Sequence, residues 1–203
     1  MSLTVGELSA EQWPEAMSIA SRAFLHQPFI RDMFGDDLVA RFSATREFYL
    51  STPWAPADLH LGAFVGGALV GAAAVSPAGR CYLCDPEQSD DAVAQPGLPA
   101  EESAWLQLAR ATHLRQPSHG RIGRMVVEPV LQGAGVGRAL MAASLGWLRS
   151  TASPVVILEC EGSMEKFYLR SGFERVSVIT SVDDDGEGSY LMRLDLEVTP
   201  EPG

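Results

Sequence analysis

The sequence is poor in basic residues, in long apolar runs and in cysteine, and each shortage excludes a class of protein. Acidic residues outnumber basic ones by 26 to 15, only one basic residue is a lysine (Lys166), and the net charge is −11. This balance argues against nucleic acids and anionic membrane surfaces as partners. The uncharged apolar run Leu61–Val75 has 15 residues, fewer than the roughly 20 that span a bilayer. The first residues include acids and no apolar h-region, so we expect no signal peptide.

Cysteine is scarce, with three residues in a chain of 203. Nothing indicates a disulfide framework, so the expected compartment is the cytoplasm. Cys81 and Cys84 have the spacing of metal and redox sites. We identify no second cysteine or histidine pair after them, so we expect no metal and no redox role. Cys160 falls at the end of a predicted strand and is interpreted as a small core residue.

The most informative segment present is Met125–Leu140, in which a glycine-rich stretch separates an apolar run from an amphipathic one. Gly133, Gly135 and Gly137 alternate with small residues. Because glycine has no Cβ, a ligand can approach this backbone closely. The unpaired N–H groups where such a loop opens a helix favour a phosphate. A flexible glycine loop is the alternative interpretation.

Two other phosphate-binding motifs fit this segment poorly. A Walker loop ends in Gly-Lys-Ser/Thr, whereas Gly137 is followed by Arg138-Ala139. A dinucleotide fingerprint needs Gly-x-Gly-x-x-Gly early in a series of βαβ units. Here the spacing is Gly-x-Gly-x-Gly, and only 66 residues follow Gly137. Glu159 could serve as the ribose-binding acid, but too little chain remains to complete such a fold.

Two motifs carry a resemblance to a known family. Gln132–Gly137 (Gln-x-x-Gly-x-Gly), after Met-Val-Val-x-Pro, resembles the acetyl-CoA loop of the GNAT superfamily of N-acetyltransferases. Phe167–Phe173 resembles the Tyr-x-x-x-Gly-Phe motif of the same family. The strand-like stretch Val155–Glu159 lies between them in the family's order, and the resemblance covers residues 119–178. The layout is closest to small-molecule members such as puromycin N-acetyltransferase.

Alternating strand and helix patterns predict an α/β (α+β) fold in a single domain, residues 1–203, with a twisted mixed sheet of about seven strands and helices on both faces. The predicted strands are Thr4–Leu8, Leu59–Val65, Ala68–Ser76, Arg121–Val127, Pro154–Cys160, Phe173–Val182 and Ser189–Glu197. The predicted helices are Glu11–Phe24, Pro28–Phe34, Asp36–Leu50, Pro99–Leu114, Gly133–Arg149 and Ser163–Ser171. Residues 85–100 are expected to form a surface loop, 183–188 a polar turn and 198–203 a frayed tail.

The resemblance implies an acetyl-CoA-dependent N-acetyltransferase that acts on a primary amine, with a small-molecule acceptor and no metal. It implies splayed fourth and fifth strands with the pantetheine arm between them. The main chain that contacts pantetheine and the acetyl carbonyl would be Met125, Val126 and Val127. The pyrophosphate loop would be Gln132, Gly133, Ala134, Gly135, Val136, Gly137 and Arg138. Tyr168 would be the general acid, since a phenol can protonate a leaving thiolate; packing through its ring is the alternative.

The general base is left open by the sequence. Gly123 and Arg121 stand where family members often carry Glu or His. His119, Glu159 and Glu161 are candidates, as are a water relay and direct deprotonation. Aromatic residues near the first helices are interpreted either as core or as walls of the acceptor pocket; these are Phe29, Phe34, Phe42 and Tyr49. A non-catalytic acyl-CoA-binding module and, more distantly, a nicotinamide oxidoreductase are the competing functions, and a homodimer is left open.

Overall fold

The computed structural model describes residues 2–51, 57–84, 100–180 and 188–197. The predicted loop 85–100, turn 183–188 and tail 198–203 lie outside the described residues, save residues 100 and 188. The chain divides into two compact units, residues 1–75 with 123–145, and residues 76–122 with 146–203. The prediction of one domain stays a prediction.

The described residues form a mixed seven-stranded sheet in the order β1-β2-β3-β4-β5-β7-β6, which confirms the predicted fold class. The strands are β1 (Leu3–Glu7), β2 (Leu59–Val65), β3 (Ala68–Ser76), β4 (Gly120–Val127), β5 (Val155–Glu161), β6 (Glu174–Thr180) and β7 (Ser189–Asp195). The helices are α1 (Trp13–Phe24), α2 (Pro28–Phe34), α3 (Leu38–Ser51), α4 (Ala100–His113), α5 (Val136–Ser150) and α6 (Glu165–Arg170). Within the described ranges, no helix is long and apolar enough to cross a membrane.

The first unit is built on an antiparallel meander. β1 pairs with β2, and β2 pairs with β3 across the predicted turn at Gly66–Gly67. Gly67 has φ +85°, a left-handed conformation that glycine adopts without steric cost. The helices contribute an apolar face to the core of this unit, because α1 buries Ala16, Met17, Ile19 and Ala20. These residues pack in one cluster with Tyr49 of α3 and Val126 of β4.

The second unit is built on β5, which is buried at most of its positions. β5 pairs antiparallel with β7, and β7 pairs with β6. β4 pairs with β5 in parallel, with Gly120 opposite Val156 and Arg121 opposite Ile157. The core includes Leu83, Leu106, Ala109, Ile157 and Leu191. Cys160 is also buried, and burial raises the pKa of its thiol to about 12, as expected of a core cysteine.

Three predicted helix boundaries are corrected by local geometry. The helix predicted from Gly133 begins at Val136, because Gly133 and Gly135 have φ +80° and +92° and cannot be helical. The first helix begins at Trp13 after a 3-10 turn over Ala10–Gln12. The short helix predicted from Ser163 begins at Glu165, after a second 3-10 turn.

Candidate active site

The glycine loop forms the N-terminal end of α5. The first helical hydrogen bond runs from the Ala139 N–H to the Gly135 carbonyl, at 3.0 Å. The N–H groups of Val136, Gly137 and Arg138 precede that bond and so have no acceptor within the helix. They carry the partial positive charge of the helix N-terminus. A helix of 15 residues with this opening is suited to bind an anion.

The loop is fixed on its N-terminal side. The Glu128 N–H donates to the Val70 carbonyl at 2.9 Å, and the Leu131 N–H returns to the Glu128 carbonyl at 2.9 Å. The Glu128 carboxylate accepts from both Nε and Nη2 of Arg22, the shorter distance being 2.6 Å. This ion pair joins α1 to the entrance of the loop. The sequence analysis did not identify it, since 106 residues separate the partners.

The predicted cofactor-binding residues differ in exposure in a way that suits main-chain binding. Val126 is 2% exposed and packs into the core, and Met125 and Val127 are half-buried. In the loop, Val136 is 3% exposed and anchors the helix start. Gly135 and Gly137 are half-buried, and four residues are exposed: Gln132, Gly133, Ala134 and Arg138.

Tyr168 lies on α6 and is 9% exposed. Its ring packs against Phe167 and Phe173, with centroid distances of 5.1 and 6.1 Å. Burial, with a smaller contribution from the nearby Cys160 and Glu159, raises the pKa of Tyr168 above its ordinary value of 10. The hydroxyl therefore keeps its proton at neutral pH, as a general acid must. The packing and the acid role are compatible, because they use different ends of the side chain.

The Tyr-x-x-x-Gly-Phe motif also ends α6. Gly172 has φ +91°, and the Phe173 N–H donates to the Tyr168 carbonyl at 3.1 Å. A left-handed glycine just after a helix, with a hydrogen bond back to its last turn, is a common helix end. Gly172 and Phe173 therefore end the helix, and β6 begins at Glu174, one residue later than predicted.

Glu159, one candidate base, is bound in an ion-pair network. Its carboxylate accepts from Arg121 Nε and Nη2 at 2.9 and 2.8 Å and lies 2.5 Å from His113 Nε2. Burial favours its neutral form, but Arg121 and His113 outweigh burial and hold the pKa of Glu159 far below its usual range. Such a carboxylate is a weak base, so the structure disfavours a proton-abstracting role for Glu159. His119 is likewise engaged, with its Nδ1–H donating to the Pro117 carbonyl at 2.7 Å.

Three solved structures with a similar fold are named as acetyltransferases. A structure of histone acetyltransferase HPA2 and related acetyltransferase from Corynebacterium glutamicum has 21% identity and a TM-score of 0.61, covering 95% of this chain and 96% of that chain. The polyamine N-acetyltransferase of Drosophila melanogaster has 16% identity and a TM-score of 0.62, covering 96% and 100%. PaiA N-acetyltransferase from Thermoplasma acidophilum, in complex with coenzyme A, has 13% identity and a TM-score of 0.56, covering 97% and 100%.

The sequence contains a match to a known family. The acetyltransferase (GNAT) domain family matches residues 103–187, a range that contains both the glycine loop and Tyr168. This part of the chain is similar to a GNAT acetyltransferase domain. This confirms the family resemblance, although the nearer likeness to puromycin N-acetyltransferase stays a prediction. Among curated protein sequences, no match is found.

Most of the aromatic residues near α2 and α3 belong to the core. Phe29 and Phe34 are partly buried against the first unit's cluster, and Tyr49 is 2% exposed. Phe42 is 44% exposed and does not share that packing. Of the two interpretations offered by the sequence, core packing therefore accounts for Phe29, Phe34 and Tyr49.

The sequence did not predict one group of ligand-type side chains. Cys81, Cys84, His113 and His119 bring their ligand-type atoms within 4.8 Å of one another. The statement that no histidine pair follows the two cysteines was wrong, because His113 and His119 are separated by five residues, a zinc-site spacing. The two histidines are far from Cys84 along the chain, so their spacing was not connected with the two cysteines.

Proposed function

We propose that this protein transfers an acetyl group from acetyl-CoA to a primary amine of a small molecule. The observation that carries the proposal is the loop at the start of α5. Gly133 and Gly135 have positive φ, and three N–H groups precede the first helical bond at Ala139. A diphosphate fits this arrangement, since it needs several donors and close approach to the backbone.

The residues present fit the cosubstrate that the family implies. Acetyl-CoA supplies the acetyl thioester when bound. The N–H groups of Val136, Gly137 and Arg138 would hold the pyrophosphate, and the exposed guanidinium of Arg138 is placed on the first turn of the same helix. The main chain of Met125–Val127 would orient the pantetheine and the acetyl carbonyl, as the family resemblance implies.

Tyr168 is proposed as the group that protonates the departing thiolate. Its position in the family motif and its retained proton support this role. Proton donation in the transition state by a positioned side chain is typically worth about 10² to 10⁴ in rate. The acceptor amine would have to lose a proton elsewhere, and with Glu159 bound to Arg121 and His113 we assign that step to solvent or to direct deprotonation.

A small-molecule amine is favoured as acceptor by two observations. The structurally similar Drosophila melanogaster enzyme is a polyamine N-acetyltransferase that forms N-acetylagmatine, and polyamines are cationic primary amines. The net charge of −11 attracts cations rather than anions. Both observations concern the class of acceptor and leave its identity to experiment.

The proposal is tested by measuring release of free CoA from acetyl-CoA in the presence of panels of amines, amino acids and peptides. We expect at least one primary amine to accelerate release well above the rate without acceptor. Mass spectrometry of the product should show an added acetyl group on nitrogen. Acetyl-CoA binding without acceleration by any amine would instead favour the non-catalytic acyl-CoA-binding module.

Ligand selectivity separates this proposal from the oxidoreductase alternative. Acetyl-CoA should raise the melting temperature, because a ligand that binds only the native state stabilises it by mass action. NAD and NADP should leave the melting temperature unchanged. A shift with NAD and none with acetyl-CoA would reverse the assignment of the loop.

A further inference from the structure

Four ligand-type side chains from three segments converge in the second unit. Cys81 and Cys84 follow β3, His113 is the last residue of α4, and His119 immediately precedes β4. Cys81 Sγ lies 3.5 Å from His113 Nδ1, and Cys84 Sγ lies 3.8 Å from His119 Nε2. The two ring nitrogens are 3.0 Å apart. Three of the four residues are buried, and Cys84 is half-buried.

Each imidazole turns one nitrogen into the group and has a polar contact at the other. His113 Nε2 lies 2.5 Å from the Glu159 carboxylate, and the Nδ1–H of His119 donates to the Pro117 carbonyl at 2.7 Å. The two remaining nitrogens, His113 Nδ1 and His119 Nε2, face each other at 3.0 Å. Two unprotonated nitrogens at this distance would repel, so either a proton or a metal cation lies between them. An outer carboxylate or carbonyl that orients a histidine is also the usual support of a metal ligand.

Three of the six distances between donor atoms are close to those around one tetrahedral ion, and all the donor atoms lie within 4.8 Å of one another. Bond lengths of about 2.0–2.1 Å to nitrogen and 2.3 Å to sulfur place tetrahedral N···N pairs about 3.3 Å apart and S···N pairs about 3.6 Å apart. The measured values are 3.0 Å for the nitrogen pair and 3.5 and 3.8 Å for the two sulfur–nitrogen pairs. Small movements of the side chains would close the difference.

We propose that Cys81, Cys84, His113 and His119 bind one Zn²⁺ ion. Two cysteines and two histidines in tetrahedral array are a donor set that selects zinc. The spacings C-x2-C and H-x5-H both fall in the range of known zinc ligands. All four positions come from protein side chains, so the site is closed and structural rather than catalytic. It is independent of acetyl transfer and of the glycine loop.

The charges of the ligands match those of a divalent cation. A thiolate is the form that ligates metal. The Glu159 carboxylate that supports His113 is itself paired with Arg121. Zinc with two thiolates is neutral, so the buried region gains no net charge when the ion binds.

The site has a path for the ion and a structural effect. A cavity of about 460 Å³ is lined by the four ligands and by Leu114 and Ser118, both of which are exposed. The ion would tie the segment after β3 to the end of α4 and the start of β4. Binding free energy in such a site adds to folding free energy.

Metal content of the full chain tests the proposal, with the third cysteine as matched control. After equilibration with stoichiometric ZnCl2 and desalting, we expect about one zinc per chain in the wild type and in Cys160→Ser. Cys84→Ser should lose the zinc, since it removes one ligand at the least buried position. If the wild-type protein retains no zinc, the proposal is wrong, and the four side chains form a hydrogen-bond network that shares a proton. Equal zinc in wild type and Cys84→Ser also overturns it.

A second measurement needs no variant and covers the case in which Cys84→Ser fails to fold. The zinc-equilibrated wild type is alkylated with and without a chelator, and each cysteine is followed by peptide mass spectrometry. We expect the chelator to increase labelling of Cys81 and Cys84 and to leave Cys160 unchanged. With CoCl2 in place of zinc, thiolate-to-cobalt charge-transfer absorption should appear. If the chelator does not change the labelling of Cys81 and Cys84, the proposed zinc site is contradicted.

Discussion

The glycine loop of the first unit and the Cys–His group of the second unit are both proposed to bind ions, but ions of opposite charge and through different parts of the protein. The loop offers main-chain N–H groups on an exposed helix start, and most of its side chains contact solvent. The Cys–His group offers buried side chains held by a second layer of ionic contacts. Loss of the loop's ligand should therefore remove only the stability that binding adds by mass action, whereas any change near the Cys–His group should also affect folding.

The ion pairs next to the two regions show the same contrast. Arg22 and Glu128, beside the loop, have side chains 40% and 21% exposed. Arg121 and Glu159, beside the Cys–His group, have side chains that are each 7% exposed. Both pairs make two or more short hydrogen bonds, so geometry alone does not distinguish them. Solvent screening distinguishes the two pairs. Exposed ion pairs contribute little to stability, whereas breaking a buried ion pair lowers the free energy of unfolding strongly.

The largest expected effect is on kcat and concerns Tyr168. This residue is buried, but it is proposed to contribute to catalysis rather than to stability. Tyr168→Phe should lower kcat by about 10² to 10⁴ and leave acetyl-CoA affinity nearly unchanged. Since the pKa of Tyr168 is raised above 10, ionisation of this group should not reduce kcat below pH 10. Steady-state kinetics with an accepted amine provide the measurement.

The control for Tyr168 is Tyr190→Phe, the same change at another buried tyrosine of the second unit. It should retain kcat. If Tyr168→Phe keeps more than about a third of wild-type kcat while chemistry is rate-limiting, Tyr168 is a packing residue and solvent is the acid.

The next effect concerns stability in the buried region. Arg121→Met leaves the Glu159 carboxylate buried without its main partner, and we expect a loss of about 3–5 kcal/mol in the free energy of unfolding. Urea denaturation measures it. Replacing both partners, as in Arg121→Met with Glu159→Leu, should recover part of the loss. A loss below about 1 kcal/mol would mean that this buried ion pair contributes no more than an exposed one. The contrast between the two ion pairs would then be wrong.

The same pair predicts a dependence on acid. The pKa of Glu159 is held below its ordinary 4.5 in the native state. Its stabilising contribution is therefore fully present above pH 4.5 and is lost as pH falls from there towards the native pKa. Arg121→Met should lose less stability than the wild type over that range.

An intermediate effect is expected at the proposed phosphate site of the loop. Gly135→Val adds a side chain where the phosphate must approach, and we expect CoA to bind at least tenfold more weakly, about 1.4 kcal/mol. Backbone strain is a confounding factor, because Gly135 has φ +92°. Gly67→Val is the matched control, with φ +85° and open space around its Cβ. Calorimetric affinities that fall equally in both variants, or in neither, would contradict the loop assignment.

The smallest effect belongs to the exposed ion pair. Arg22→Met should lower the free energy of unfolding by about 0.2–1 kcal/mol, and the loss should shrink as salt is added. Urea denaturation at low and high salt, beside the identical substitution at Arg121, makes the comparison direct. A loss equal to that of Arg121→Met would show that exposure does not separate the two pairs.

The parts of the fold that the sequence predicts correctly are those specified by residues that are adjacent in the chain. The hairpin Leu59–Val65 with Ala68–Ser76 has the predicted bounds, since alternation and a Gly-Gly turn specify it locally. The helix start was misplaced by three residues, because glycine spacing does not reveal which glycines adopt positive φ. The roles of Tyr168 and of the loop residues rest on the motifs and stay predictions.

The sequence by itself determined the family resemblance, the mixed fold and the glycine loop, because each depends on the spacing of residues that are close together in the sequence. Only the tertiary structure decided the ionic partners of Glu159 and the meeting of Cys81 and Cys84 with the two histidines. Arg121 reaches Glu159 because it pairs with Ile157 in the parallel register, and Glu159 lies two residues on, on the same face of the strand. The Cys–His group forms because the end of α4 and the start of β4 lie beside the segment that follows β3. Its four residues therefore do not have to be close together in the sequence.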